Sequence, residues 1–142
     1  MVNAIENNTH QLLVVSTLNN GAVKELPADV VVETTCVITA QGPIPLTSPD
    51  LPVFARGYVQ TIKAMEELTI QAAIEGSYDL AYQAFLLNPL IDNGLITEEL
   101  LQEMLVAHEV HLPQFEKVIQ AIKAAKPQLV EKIKTLKEQL HV

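Results

Sequence analysis

The chain has 142 residues, 49% of them apolar but only 4% aromatic and none Trp, so the expected scale is one domain with a core of Leu, Ile, Val and Ala. A formal charge of −8 speaks against nucleic acid, because phosphate binding needs clustered Lys and Arg to displace counterions. A lone cysteine, Cys36, rules out an internal disulfide and any two-cysteine metal pattern.

The N-terminal MVNAIENNTH has no basic residue ahead of an apolar run, which is unlike a signal peptide. No window approaches the ~18 consecutive apolar residues of a membrane span. The expected setting is a reducing cytoplasm with no membrane partner.

QLLVVST at 11–17 and DVVVETTCVITA at 29–40 are β-branched runs that read as strands. Between them, Asn19-Asn20-Gly21 suits the positive φ angles of a tight turn, although the connection is too long for a two-residue hairpin. Gln41-Gly42-Pro43 ends the second run, and Ile44-Pro45-Leu46 continues as an extended piece whose prolines fit only a sheet edge. The first third therefore predicts a small antiparallel β layer over about 11–46.

After Ser48-Pro49-Asp50-Leu51-Pro52 the period changes to steps of three and four, through Phe54, Tyr58, Ile62, Met65, Leu68 or Thr69, and Ala72. This predicts a long helix ending near Gly76, with most of its surface buried because Val59, Ile70, Ala73 and Ile74 widen the apolar face. Ser77 caps a second helix that Asn88-Pro89 stops. Thr97-Glu98-Glu99 is expected to open a third.

The last segment differs in kind. Residues 1–113 carry −11 and residues 114–142 carry +3, and the apolar stripe of the tail runs through Phe115, Val118, Ile119, Ile122, Leu129, Val130, Ile133, Leu136 and Leu140. Pro127 interrupts that stripe and predicts two helices or a sharp kink at Lys126. The order of strands first and helices after is that of an α+β fold, with a domain over 1–113 and a basic amphipathic tail over 114–142.

Candidate chemistry is sparse. The histidines of His108-Glu109-Val110-His111 are three apart, not the four of the zinc-protease pattern, and the partner carboxylates of a helical di-metal site are not evident. Cys36 sits among apolar strand neighbours, where a thiol behaves as a small core hydrophobe. Asp29 and Glu33, read on one strand face, could pair for acid/base work, but charges on a solvated face are commoner. Glu66-Glu67 reads as an exposed helix edge. Gly21 and Gly57 stand alone, with no phosphate-cradling glycine motif around them.

Four segments, LNNGAVKELPADVVVE at 18–33, CVITAQGPIPL at 36–46, ARGYVQTIKAMEELTIQAAIEGSYDLAYQAFLLNPLI at 55–91 and AHEVHLPQF at 107–115, occur in an order and spacing that resembles the C-terminal part of glycoside hydrolase family four. These are the NAD-dependent 6-phospho-α- and 6-phospho-β-glucosidases. The family carries Asn where Ser16 stands, Tyr where Met65 stands and Gly-Asp where Gly76-Ser77 stands. The resemblance implies a C-terminal domain of the type shared with lactate dehydrogenase.

It also implies hydrolysis of phosphorylated disaccharides by an unusual route. NAD oxidises the 3-hydroxyl of the sugar, a divalent metal such as manganese polarises the ketone, and a tyrosine removes the acidified 2-proton before elimination. The residues for these steps belong to family segments with no match here, and Cys36 lacks the sequence context of the family's metal-binding cysteine. No catalytic, cofactor or metal residue is carried over. Asn19, Asn20 and Gly21 remain as a substrate-side wall.

The resulting expectation is a C-terminal domain or fragment, inactive alone, that needs an N-terminal dinucleotide-binding domain and forms a homo-oligomer. The β-glucosidase is the first reading, while the residues that decide α against β lie elsewhere. Met1 followed at once by VNAIENN favours truncation. The alternative is a non-enzymatic oligomerisation or interaction module that uses the basic tail. A third reading is the equivalent domain of a lactate- or malate-type dehydrogenase.

Overall fold

The computed structural model describes residues 1–91 and 93–140. Its helices are α1 (Val2–Glu6), α2 (Val53–Glu75), α3 (Tyr78–Leu87), α4 (Gly94–Ala107), α5 (Glu116–Ala125) and α6 (Pro127–Leu140), and its strands are β1 (Gln11–Leu18), β2 (Val31–Thr39) and β3 (Gly42–Pro45). Two 3-10 turns, Glu109–His111 and Pro113–Phe115, link α4 to α5. Contacts divide the chain into Met1–Gln60 and the residues from Thr61 onward, with the division inside α2. The segment after residue 113 contributes Ile119, Ile122 and Ile133 to a core shared with α3 and α4.

In the first unit, the strands form an antiparallel sheet in the order β1-β2-β3, with Leu13 opposite Cys36 and Val37 opposite Ile44. This is the antiparallel layer that the β-branched runs predict. Pro43 and Pro45 fall on β3, an edge strand, where a missing N–H costs the ladder least. One sheet face buries Cys36 and Ile38 completely with Ala4 of α1, and Ile5, Leu13 and Val15 pack around them. A second cluster of Val23, Leu26, Val30 and Val32, with Leu51 and Val59 against it, fills the base of the 19–30 connection.

In the second unit, α3, α5 and α6 all pack on α4. Their core joins Ala72, Ala81, Leu101, Leu105, Val106, Phe115, Ile119, Ile122 and Ile133. Full burial of a side chain such as Ile119, 1% exposed, stabilises the fold by roughly 1.5–3 kcal/mol. Gly76 ends α2 at φ +66°, and an added Cβ would lie 2.1 Å from the Gln114 carbonyl oxygen. Only glycine fits both demands. Ser77 caps α3 by accepting from the Leu80 N–H at 3.4 Å. Lys126 separates α5 from α6, whose first residue is Pro127.

Three expectations are corrected. The long helix is not mostly buried: Ala72 is its one buried residue, while Val53, Phe54 and Ile74 are 84%, 88% and 72% exposed. Its apolar pattern is wider than anything this chain packs on it. The third helix starts at Asn93, whose Oδ1 accepts from the Leu95 N–H at 2.9 Å. Thr97 is instead fully buried one turn further in, and its hydroxyl donates to the Asn93 carbonyl at 3.3 Å. Asp29 precedes β2, so it shares no strand face with Glu33. The side chain of Leu140, and residues 141–142, lie outside the described residues.

Among the described residues, no helix is long and apolar enough to cross a membrane.

Candidate functional site

Asn19-Asn20-Gly21 opens the connection between β1 and β2, and the backbone turns there through φ +47° at Asn20 and +82° at Gly21. Asn19 is fully buried. Its side-chain amide donates toward the carbonyls of Val23, Leu26 and Pro27 at 2.9, 3.1 and 2.8 Å, and its Oδ1 accepts from the Val23 N–H at 2.7 Å. Its own N–H donates to the Val30 carbonyl at 2.8 Å, and the Asn20 N–H donates to Ala28 at 2.9 Å. One side chain therefore cross-links the 19–27 stretch, where the buried Leu26 carbonyl would be costly to leave unpaired.

The loop is also tied to the segment that enters α2. The Ser48 N–H donates to the Ala22 carbonyl at 2.8 Å, the Leu51 N–H to Glu25 Oε1 at 3.0 Å, and Gln60 Nε2 to the Glu25 carbonyl at 2.9 Å. Arg56 stands 3.8 Å from Glu25, and Lys24 pairs with Asp50 at 3.1 Å. Glu25 carries no sequence signal, since one acid in a loop makes no pattern. The loop so built presents Asn20 and Gly21 at its surface while the Asn19 side chain is spent inside it.

Elsewhere the predicted groups are scattered. His108 ends α4 with Nδ1 2.9 Å from the Met104 carbonyl, Glu109 pairs with Lys123 at 2.9 Å, and His111 is exposed. An apolar cavity of about 410 Å³ between α2, α3 and α4 has His108 and His111 on its lining beside Ala73, Phe85, Met104 and Leu112. Burial raises the Tyr78 hydroxyl above its usual range, against the opposing hydrogen bond from Gln102, which makes it a poor base.

These residues do not fit a manganese or a dinucleotide. Among the described residues, no group of three or more His, Cys, Asp and Glu could hold a metal. Cys36 is closed off, its thiol pushed up by burial and donating to the Thr34 carbonyl at 3.5 Å, the reverse of what a thiolate ligand needs. The five glycines are all separated in sequence and form no glycine-rich phosphate motif. What the arrangement supplies is a loop cross-linked by hydrogen bonds to itself and to the segment entering α2.

Comparison with known proteins gives this domain a setting. The sequence model of the Family 4 glycosyl hydrolase C-terminal domain matches residues 1–91. The chain is 42% identical over 121 residues to a probable 6-phospho-beta-glucosidase of Bacillus subtilis, covering 85% of this chain and 27% of that protein. It is 33% identical over 109 residues to the phospho-alpha-glucosidase PagL of Clostridium acetobutylicum, covering 77% and 24%. Among solved structures, a 6-phospho-alpha-glucosidase from gut microorganisms, in complex with NAD and glucose 6-phosphate, superposes with a TM-score of 0.76 at 32% identity, over 80% of this chain and 26% of that one. The 6-phospho-beta-glucosidase of Thermotoga maritima with manganese, NAD+ and glucose 6-phosphate gives 0.66 at 31%, over 72% and 25%. The chain thus spans about a quarter of the length of the relatives it matches.

Proposed function

Because the chain belongs to glycosyl hydrolase family 4, as its C-terminal domain, we propose that it forms the wall and scaffold of a 6-phospho-glucosidase whose reacting groups come from elsewhere in the enzyme. The observation that carries this is the match to the family domain in a chain whose described residues gather no group of three His, Cys, Asp or Glu that could hold a metal. In this reading NAD and manganese, bound in the solved relatives, are held by a dinucleotide-binding domain outside this chain, and the enzyme acts by oxidation and elimination. The identity of 42% to a β-type relative, against 33% and 32% to α-type ones, supports a 6-phospho-β-glucoside as substrate. A reducing cytoplasm agrees with the buried thiol of Cys36.

The reading includes inactivity in isolation. The test is an assay of the 142-residue chain with NAD, manganese and a chromogenic 6-phospho-β-glucoside, for which no turnover is expected. Turnover by the chain alone would refute it.

The interaction-module reading draws on the basic tail, but the apolar side of that segment is engaged within its own unit. Ile119, Ile122 and Ile133 are buried there, Lys123 and Lys132 pair with Glu109 and Glu103, and Lys137 donates to the Ala107 carbonyl at 2.7 Å. The scaffold reading is therefore preferred.

A further inference from the structure

An antiparallel sheet in a small domain ordinarily buries one face and shows a polar one to water. Here the face holding Cys36 and Ile38 is already covered, and the other is also mostly apolar, with Ser16, Glu33 and Thr35 as its polar residues. Register places Leu12, Val14 and Leu18 of β1 on this second face, with Val37 of β2 opposite Leu12 and Ile44 of β3 opposite Val37. Leu12, Val14, Leu18 and Ile44 are 58%, 62%, 45% and 54% exposed. The outer edge strand adds to this: QLLVVSTL contains no charge and no proline, the usual devices that keep an edge from pairing.

We infer that this second sheet face is the docking surface for the part of the family 4 polypeptide outside this domain. The inference rests on the scaffold reading above and names the surface that reading needs. Two observations choose the occupant. The chain spans about a quarter of its relatives, so most of each related polypeptide lies outside the matched region and has to pack against something. Glu33, exposed beside Ser16 on the same face, disfavours a second copy docked with its two-fold axis at that position, where two carboxylates would meet, and asks for a partner with a donor opposite it. A fitting partner is apolar, with a Lys, Arg or N–H donor set against Glu33.

The test uses, as probe, the portion of the Bacillus subtilis relative outside the matched 27%. Its affinity is measured for the chain and for Val14→Lys, an exposed position whose change should leave the circular dichroism melt in place. Binding by the chain and a loss of about tenfold or more in Val14→Lys is expected, with slowed amide exchange over β1 on binding. Equal binding by both, with no protection of β1, overturns the docking surface and leaves the scaffold reading standing. Absence of binding by the unmodified chain, to a probe whose circular dichroism and cooperative melt show it folded, overturns both. If Val14→Lys abolishes only self-association, the occupant is a second copy and the inference is wrong.

Discussion

The side-chain amide of Asn19 lies 2.8 Å from the carbonyl of Pro27, and this bond closes the 19–30 connection on itself. The same amide serves Val23 and Leu26, so the loop has one polar hub inside an otherwise apolar base. The rigidity of the proposed wall depends on this hub.

Replacing Asn19 by Ala should accordingly destabilise the first unit by on the order of 3 kcal/mol, since it leaves the Leu26 and Pro27 carbonyls and the Val23 N–H without the partner Asn19 supplies, while the Val23 carbonyl keeps the Leu26 N–H. Asn19→Asp should recover little, because a carboxylate can accept from Val23 but cannot donate to the carbonyls. Urea unfolding of both variants checks this. An Asn19→Ala chain as stable as the parent would mean that water replaces the hub.

Gly76→Ala should be costly for a different reason. The new methyl meets the Gln114 carbonyl oxygen at 2.1 Å and a φ of +66° that side chains disfavour. A loss of more than about 1 kcal/mol is expected, seen as a lower melting temperature for the second unit. Gly21→Ala is the contrast. It has positive φ but nothing within 4 Å, so its loss should be the smaller.

Much of this was legible in the sequence. The β-branched runs gave the strands, Gly76 and Ser77 gave a helix end and the next cap, and Pro127 gave the break between α5 and α6, because each depends on local backbone chemistry. The role of Asn19 was not legible beyond its turn. Its three acceptors lie four to eight residues away and converge only when the loop closes. Asn93 and Thr97 are both good capping residues, and tertiary burial of Thr97 decided between them. The burial of α2 was misread because an apolar pattern records that a partner is needed without saying whether the partner is in the chain. For the site, the sequence offered the turn residues, and no pattern pointed to Glu25.

The thiol of Cys36 should resist modification in the folded chain at neutral pH and react on unfolding. Burial raises its folded pKa above the ordinary 9.0, so its contribution to stability is intact below that pH. Stability should decline as pH rises beyond about 9, because the unfolded thiol ionises first and the folded one is held neutral. A Cys36→Ala chain should lack this part of the alkaline decline. Thiol labelling kinetics and melts across alkaline pH provide the measurement.

The exposed apolar residues of α2 carry a further expectation. With Val53, Phe54, Ile70 and Ile74 all more than half exposed, the isolated chain should self-associate as its concentration rises. Light scattering should show a concentration-dependent mass, reduced by Phe54→Lys or Ile74→Lys. A strictly monomeric species at high concentration would contradict it.

In the proposed function this domain completes an enzyme that it does not constitute alone. The most direct measurement titrates the chain into the portion of the Bacillus subtilis relative outside the matched 27%, with NAD, manganese and a chromogenic 6-phospho-β-glucoside present. Turnover should be absent from either component, appear on mixing and saturate at one chain per partner. Full turnover by the partner without this chain, or a silent mixture despite demonstrated binding, would contradict the account.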